Sequence, residues 1–231
     1  MPWPAVRERY FVGYLKRDPV TATYLGADAY SPELAEINAE LPEVSKAGRE
    51  DRKAFYRSIL DDLDRVNPSS LSPADAIDRE VVRAQVRFLK HMLEEARHDL
   101  KSIDTYTVAP FRGVDWQIQQ MTPLPGGGLG TAQEWQRVIR RVRAIPGYLR
   151  GVQESLREGI AQGVVPDYRV VQYDGLDAAG GHAAWFGESL PGLASGHLQG
   201  QAHREQVLKD LIEAGREAAA AFRGLGAFLE E

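Results

Sequence analysis

The sequence predicts a mainly α-helical fold, a bundle of long amphipathic helices with two long irregular loop regions. Its strongest apolar patterns repeat at three and four residues, which is the spacing of one face of an α-helix. No alternating apolar and polar run is long enough to predict a β-strand. A chain of 231 residues is also long enough to bury one hydrophobic core. We therefore expect residues 1–231 to form a single helical domain.

Two long helices are predicted in the first half of the chain. The first begins near Ser45 and ends at Asn67-Pro68, because the residue before a proline disfavours helical backbone. The second begins after the cap residue Ser72 and continues to about Arg97. Each helix carries an apolar face: Phe55, Ile59, Leu63 and Val66 in the first, and Ile77, Val81, Ala84, Phe88 and Met92 in the second.

Two further helices are predicted in the second half. Thr131 is the expected N-cap of the third helix, and Glu134 three residues later completes a capping box. We expect Pro146 to kink this helix, and Gly163 to end it, because glycine favours the left-handed backbone of a C-terminal cap. The last predicted helix begins near Ala202.

The two irregular regions are residues 100–130 and 164–200. Prolines and glycines are frequent in both, including a glycine-rich run over residues 126–130. Both are long for simple connections, and long ordered loops on a helical scaffold often carry function.

Composition excludes several classes of protein. The net charge of −5 provides no general attraction for a phosphate backbone, so we expect no nucleic-acid partner. No apolar run approaches the 18 residues of a membrane span, and the first residues do not form an apolar signal core. We therefore expect a cytoplasmic protein with no membrane partner. The absence of cysteine excludes disulfides and thiolate zinc sites in this chain.

The first irregular region contains a concentration of candidate binding residues. Aromatic rings beside side chains with several hydrogen-bond donors suit a peptide-like or small polar ligand. The alternative is that these side chains attach a long loop to the helices. The substrate-cleft candidates in this segment are Tyr106, Arg112, Asp115, Trp116, Gln117 and Gln120.

His182 is the remaining candidate for the substrate cleft. It follows Gly180-Gly181, and glycines allow close approach of the backbone to a ligand. A lone histidine beside an aromatic residue is more often a packed or exposed loop residue. A complete small hydrolase that uses His182 with an acidic partner is a further alternative.

No catalytic or metal-binding residue is predicted in this chain. None of the five histidines is followed by glutamate, so the zinc motif of two histidines one helical turn apart with an adjacent general base is absent.

Three segments of the chain resemble the bacterial DUF885 family. The first is Asp-Pro-Val-Thr-Ala-Thr-Tyr-Leu-Gly over residues 18–26. The second is Arg-Val-Arg-Ala-Ile-Pro-Gly-Tyr-Leu over 141–149, followed by Leu-Arg-Glu-Gly-Ile-Ala-Gln-Gly over 156–163 and by Pro166. The third is the ending over 221–231, which is similar to a helix that leads into further sequence in that family.

The resemblance implies a mostly helical, metallopeptidase-like protein whose His-Glu-x-x-Pro-Gly-His motif, the zinc and general-base site, lies in a C-terminal half. No position of this sequence matches that motif, so zinc is expected only with the missing C-terminal half. The leading hypothesis is a non-catalytic N-terminal helical half that forms one wall of a substrate cleft and is inactive alone.

The apolar end of the last predicted helix leads to a prediction about partners. We expect Phe222, Leu225 and Leu229 to bind the missing half or a second copy of the chain. The alternative function is a stand-alone helical scaffold protein that binds a ligand or partner. This alternative gains support if these three side chains pack on the chain's own core.

Overall fold

The computed structural model describes residues 1–103 and 106–231, and the side chain of Tyr106 lies outside the described part. The fold is mainly α-helical, as predicted. The α-helices are α1 (Trp3–Arg17), α2 (Pro19–Tyr24), α3 (Lys46–Asp64), α4 (Pro73–Glu94), α5 (Trp116–Gln119), α6 (Ala132–Ala161), α7 (Tyr168–Val170), α8 (Ala178–Ala184), α9 (Leu190–His197) and α10 (Arg204–Glu230). The π-helical turns are Phe111–Asp115, Val171–Asp177 and Trp185–Ser189.

Local capping residues set the ends of the long helices as predicted. Ser45 and Ser72 each accept a hydrogen bond from the backbone amide three residues later, at 3.3 and 3.1 Å. Thr131 and Glu134 form the reciprocal capping box that begins α6. Gly163 follows the end of α6 with φ +67°, the left-handed conformation that glycine adopts at low cost. Helix α6 continues through Pro146, and the predicted kink stays a prediction.

The prediction that residues 164–200 are irregular is wrong for most of that range. Residues 168–197 form one succession of α-helical and π-helical turns. Their glycines at 180, 181, 192 and 196 are exposed, whereas an apolar face recurs at helical spacing and is buried. This face packs against α10, so tertiary packing outweighs the low helix propensity of glycine. Its buried residues are Ala179, Ala183, Phe186, Leu190 and Ala194.

The first predicted irregular region, 100–130, is confirmed in part. It contains a 3₁₀ turn at Tyr106–Val108, the π-helical turn and the short α5. From Gln120 to the cap of α6 the chain is irregular, apart from a single β-bridge between Pro123 and Leu129.

The helices form two main packed groups. In the C-terminal group, α10 packs along α6 and against α8 and α9, and Trp135, Phe186 and Phe222 lie at its centre. In the N-terminal group, α1, α3 and α4 bury a core that includes Ile59 and Leu63. A smaller core lies between α1, α2 and the 3₁₀ turns that follow α2.

Helix α4 packs with the face opposite to its predicted apolar stripe. Val86 is fully buried against α3, and Leu89 is partly buried beside it. The side chains of Ile77, Val81 and Phe88 are exposed by 66%, 59% and 60% of their surface. The described residues leave this part of the stripe uncovered, whereas Met92 at its end is partly buried.

The prediction that Phe222, Leu225 and Leu229 form a partner surface is wrong for the first two. Phe222 and Leu225 have 0% exposure, because α10 turns this side toward α6 and α8. Leu229 is partly buried against the same core. These side chains stabilise the chain's own C-terminal group.

Among the described residues, the helices do not include one that is both long and apolar enough to cross a membrane.

Candidate ligand-binding cleft

A large cavity among the described residues, the outer cavity, has a volume of about 920 Å³ and opens to solvent. It lies between the turn that follows α4 and the helical run from α7 to α8. Ile103, Val165 and Val170 provide apolar surface along its wall. The polar side chains that line it are those of His98, Lys101, Ser102, Asp167, Asp174 and His182.

Backbone geometry explains how His98 and Lys101 reach this wall. Arg97, three residues after the end of α4, adopts a left-handed conformation, φ 46°, and caps the 3₁₀ turn His98–Leu100. Leu100 is buried, and its carbonyl oxygen lies so close to Gly159 of α6 that a Cβ at position 159 would overlap it. Close approach at Gly159 therefore fixes the turn that carries the polar side chains.

His182 is held in the wall of the outer cavity by an aromatic contact. Its ring packs edge-on against Phe222 at 5.2 Å between centroids. The Nε2 atom is buried and has no hydrogen-bond partner among the described residues. Burial lowers the pKa of His182 below its ordinary value, so the imidazole is neutral at neutral pH. A neutral imidazole has one nitrogen that donates a hydrogen bond and one that accepts, and it carries no net charge.

A second cavity, the inner cavity, adjoins the outer one and shares His98 and Ser102 with it. Its volume is about 250 Å³. Behind it lies the back cavity, of about 210 Å³, which shares Arg52, Tyr56 and Tyr148 with the inner cavity. The inner cavity thus shares wall residues with both the outer and the back cavity. We refer to these three cavities together as the cleft.

A buried ion network joins the two sides of the cleft. Arg49 of α3 donates from Nη1 to Ser155 Oγ of α6 at 2.7 Å, and its Nε lies 2.9 Å from Asp99 Oδ2. Arg49 also pairs with Glu158. The charge-assisted hydrogen bonds from Arg49 tie α3 to α6, and its ion pair with Asp99 adds the turn at His98–Leu100 to this network.

The predicted cleft residues are distributed over separate parts of the structure. Arg112 and Trp116 line a pocket of about 380 Å³, where Trp116 stacks on Tyr24 with ring centroids 4.9 Å apart. Asp115 lines none of these cavities and accepts a hydrogen bond from Gln119 Nε2 at 2.8 Å. The stacking of Trp116 on Tyr24 attaches this segment to α2, whereas the bond from Gln119 to Asp115 is local.

The remaining predicted cleft residues also lie in different parts of the structure. Gln117 is buried and donates to the carbonyl oxygen of Asn38 at 2.8 Å, and with Gln120 it lines a pocket of about 170 Å³. His182 lines the outer cavity, as described above. The side chain of Tyr106 lies outside the described residues. Of the predicted residues whose side chains are described, His182 alone therefore faces the cleft.

Sequence reasoning missed Arg52, Tyr56 and Tyr148 as cleft residues. A signal was present in α3, because Arg52 and Tyr56 continue the same 3-4 spacing as the buried Ile59 and Leu63. An arginine at a position of a buried stripe requires either an internal partner or a cavity. No comparable pattern distinguishes Tyr148, because its position on α6 is typical of an ordinary core residue.

In the part of the chain that the structure describes, the histidine, aspartate and glutamate side chains do not come together in threes that could hold a metal ion.

The fold and the cleft together define the class of this protein. It is a mainly α-helical protein with a solvent-open cleft between two helical groups. In a comparison with known families, the model for DUF885, described as "Bacterial protein of unknown function (DUF885)", matches residues 19–231. The chain belongs to the DUF885 family. No curated protein matches the chain.

Proposed function

We propose that this chain forms one wall of a substrate-binding cleft in a DUF885 protein and that the ligand is peptide-like. The outer cavity supports this proposal, because its volume of about 920 Å³ lies within the usual range for small-molecule and short-peptide sites. Its wall alternates apolar surface with side chains of both charges, which suits backbone amides, apolar side chains and charged ends in one ligand.

The chain is proposed to bind rather than to hydrolyse. The DUF885 motif that would supply zinc and a general base, His-Glu-x-x-Pro-Gly-His, is not contained in this sequence. We therefore expect hydrolysis only in the presence of a part of the protein that carries this motif. The role assigned to His182 is to form part of the cavity wall against which the ligand packs.

A matched pair of variants on α8 tests the binding site. Ala178 lines the outer cavity, whereas the exposed Ala184 on the same helix does not. The peptide Ala-Ala-Phe is titrated into the isotopically labelled chain and followed by amide chemical shifts. We expect shifts at residues 98–102 and 178–184, about ten-fold weaker binding in Ala178→Trp, and unchanged binding in Ala184→Trp.

Two results would contradict the proposal. Absence of peptide binding, or shifts confined to the Trp116 pocket, would remove the cleft as the ligand site. Peptide hydrolysis by the purified chain that a chelator abolishes would overturn the non-catalytic assignment.

A second candidate is the stand-alone scaffold protein that binds its ligand without a catalytic partner. Burial of Phe222 and Leu225 in the chain's own core favours it, because the apolar face of α10 then needs no partner. Sedimentation velocity at increasing protein concentration distinguishes the two. A stable monomer that binds the peptide supports the scaffold, whereas self-association or aggregation contradicts it.

A further inference from the structure

The inner and back cavities differ from the outer cavity in the character of their walls. Val44 and Leu89 line both of them, and Leu93 and Val152 add apolar surface to the inner cavity. A small apolar part of a ligand fits into these two cavities. The charged side chains in the same walls indicate which charge the ligand should have.

Arg52 of α3 lines both the inner and the back cavity. Among the described residues, its buried Nε atom has no hydrogen-bond partner, and its guanidinium forms no ion pair. A buried donor without an acceptor is costly, because it has lost its bonds to water. Arg52 is thus positioned to bind an anion that this chain does not itself supply.

The neighbouring charged side chains already have other partners. Arg17, in the wall of the back cavity, pairs with Asp51 through Nε at 2.8 Å. Asp99, in the wall of the inner cavity, forms an ion pair with Arg49, which also pairs with Glu158. Asp18 accepts hydrogen bonds from the amide and hydroxyl of Thr21 at the start of α2. Neither Asp18 nor Asp99 forms an ion pair with Arg52, although both line cavities that Arg52 also lines.

We propose that Arg52 binds the terminal carboxylate of a peptide-like ligand whose last side chain is apolar. This inference rests on the proposed function and adds the orientation of the ligand. A guanidinium matches a carboxylate with two parallel hydrogen bonds, and the apolar walls accept the adjoining side chain. The rest of the ligand extends past His98 and Ser102, which line both cavities, into the outer cavity and toward His182.

The experiment compares two probes that differ only at the carboxylate. N-acetyl-Ala-Phe, as the free acid and as the C-terminal amide, is titrated calorimetrically into the full chain and two variants. Arg52→Gln removes the guanidinium. Arg87→Gln is the control, because Arg87 is an exposed arginine of α4 without an ion pair among the described residues and with the same change in charge.

We expect the free acid to bind about ten-fold more tightly than the amide in the wild type and in Arg87→Gln. In Arg52→Gln the two probes should bind within about two-fold of each other, with amide binding unchanged. Arg52→Lys, which keeps the charge and loses the planar fork, should restore part of the preference. Thermal unfolding shows whether Arg52→Gln folds. If it does not, Arg52→Lys tests the role of the guanidinium in its place.

The outcomes separate this inference from the proposed function. Equal binding of acid and amide in the wild type, weakened by Ala178→Trp, would overturn the role of Arg52 and leave the cleft intact. A preference for the acid that persists in Arg52→Gln would also overturn it. Failure of both probes to bind would overturn the inference and the proposed function together.

Discussion

Arg141 in α6 donates a hydrogen bond from Nη2 to Thr23 Oγ1 in α2, at 2.6 Å and across 118 positions of the sequence. The same side chain donates to the carbonyl oxygens of Ile37 at 3.0 Å and Glu40 at 3.1 Å. Burial lowers the pKa of Arg141 to about 10, so the group remains charged at neutral pH. One guanidinium therefore fastens the segment after α1 to the central helix of the C-terminal group.

Replacement of Arg141 should destabilise the protein strongly. Arg141→Met leaves buried carbonyl oxygens without donors, so we expect a loss of about 3 kcal/mol in the free energy of unfolding. Thr23→Val removes one acceptor and should cost about 1 kcal/mol. The neighbouring Arg140→Met is the control: its ion pair with Glu36 is exposed, and we expect a change below about 1 kcal/mol. Urea denaturation measures all three, and similar losses at Arg140 and Arg141 would contradict the buried role.

Two glycines of α10 should respond oppositely to alanine. A Cβ at Gly215 would overlap the carbonyl oxygen of Phe186, whereas a Cβ at Gly224 would meet no atom within 4 Å. Gly215→Ala must separate α10 from the adjacent π-helical turn, and we expect a loss of about 2 kcal/mol or more. Gly224→Ala should stabilise by about 0.5–1 kcal/mol, because alanine has the higher helix propensity. Thermal unfolding decides the sign of each change, and equal shifts would refute the close packing of α10 on this turn.

The exposed face of α4 should tolerate a polar residue. Phe88→Gln removes an exposed ring, and we expect the free energy of unfolding to change by less than about 0.5 kcal/mol. Val86→Ala, two residues away on the buried face, should cost about 2 kcal/mol. Chemical denaturation of the two variants shows which face packs, and the reverse order would place Phe88 in a core.

Stability should depend on pH through His182. Its pKa is lower in the folded chain than the ordinary value of about 6.5, because burial disfavours the charged imidazole. The neutral form therefore contributes stability that is fully present above about pH 6.5 and is lost as the pH falls through the folded pKa. His182→Gln should lack this part of the pH dependence. Denaturation at a series of pH values measures the difference, and an imidazole titration midpoint at or above the ordinary value would contradict the prediction.

Local signals in the sequence were sufficient for several elements. Ser45, Ser72, Thr131 and Gly163 identified helix ends because a cap acts through atoms within three or four residues of itself. For residues 168–197 the exposed glycines predict an irregular segment, whereas the structure is helical there, because an apolar face at helical spacing packs against α10.

The candidate site was predictable to a smaller extent. His182 was identified because glycines precede it, and it lies in the wall of the outer cavity. Trp116 and Gln117 were expected in the same cleft, but they contact Tyr24 and Asn38 instead. Arg52 was not singled out, because no short motif distinguishes an arginine without a partner from one that has a carboxylate nearby.

The sequence by itself determined the helical class, the ends of the long helices and membership in the DUF885 family. Tertiary structure alone decided which face of α4 is buried, that Phe222 lies in the chain's own core, and that Arg52 faces a cavity. Helix periodicity and capping depend on neighbours in the sequence, whereas burial and charge pairing depend on groups brought together from distant positions.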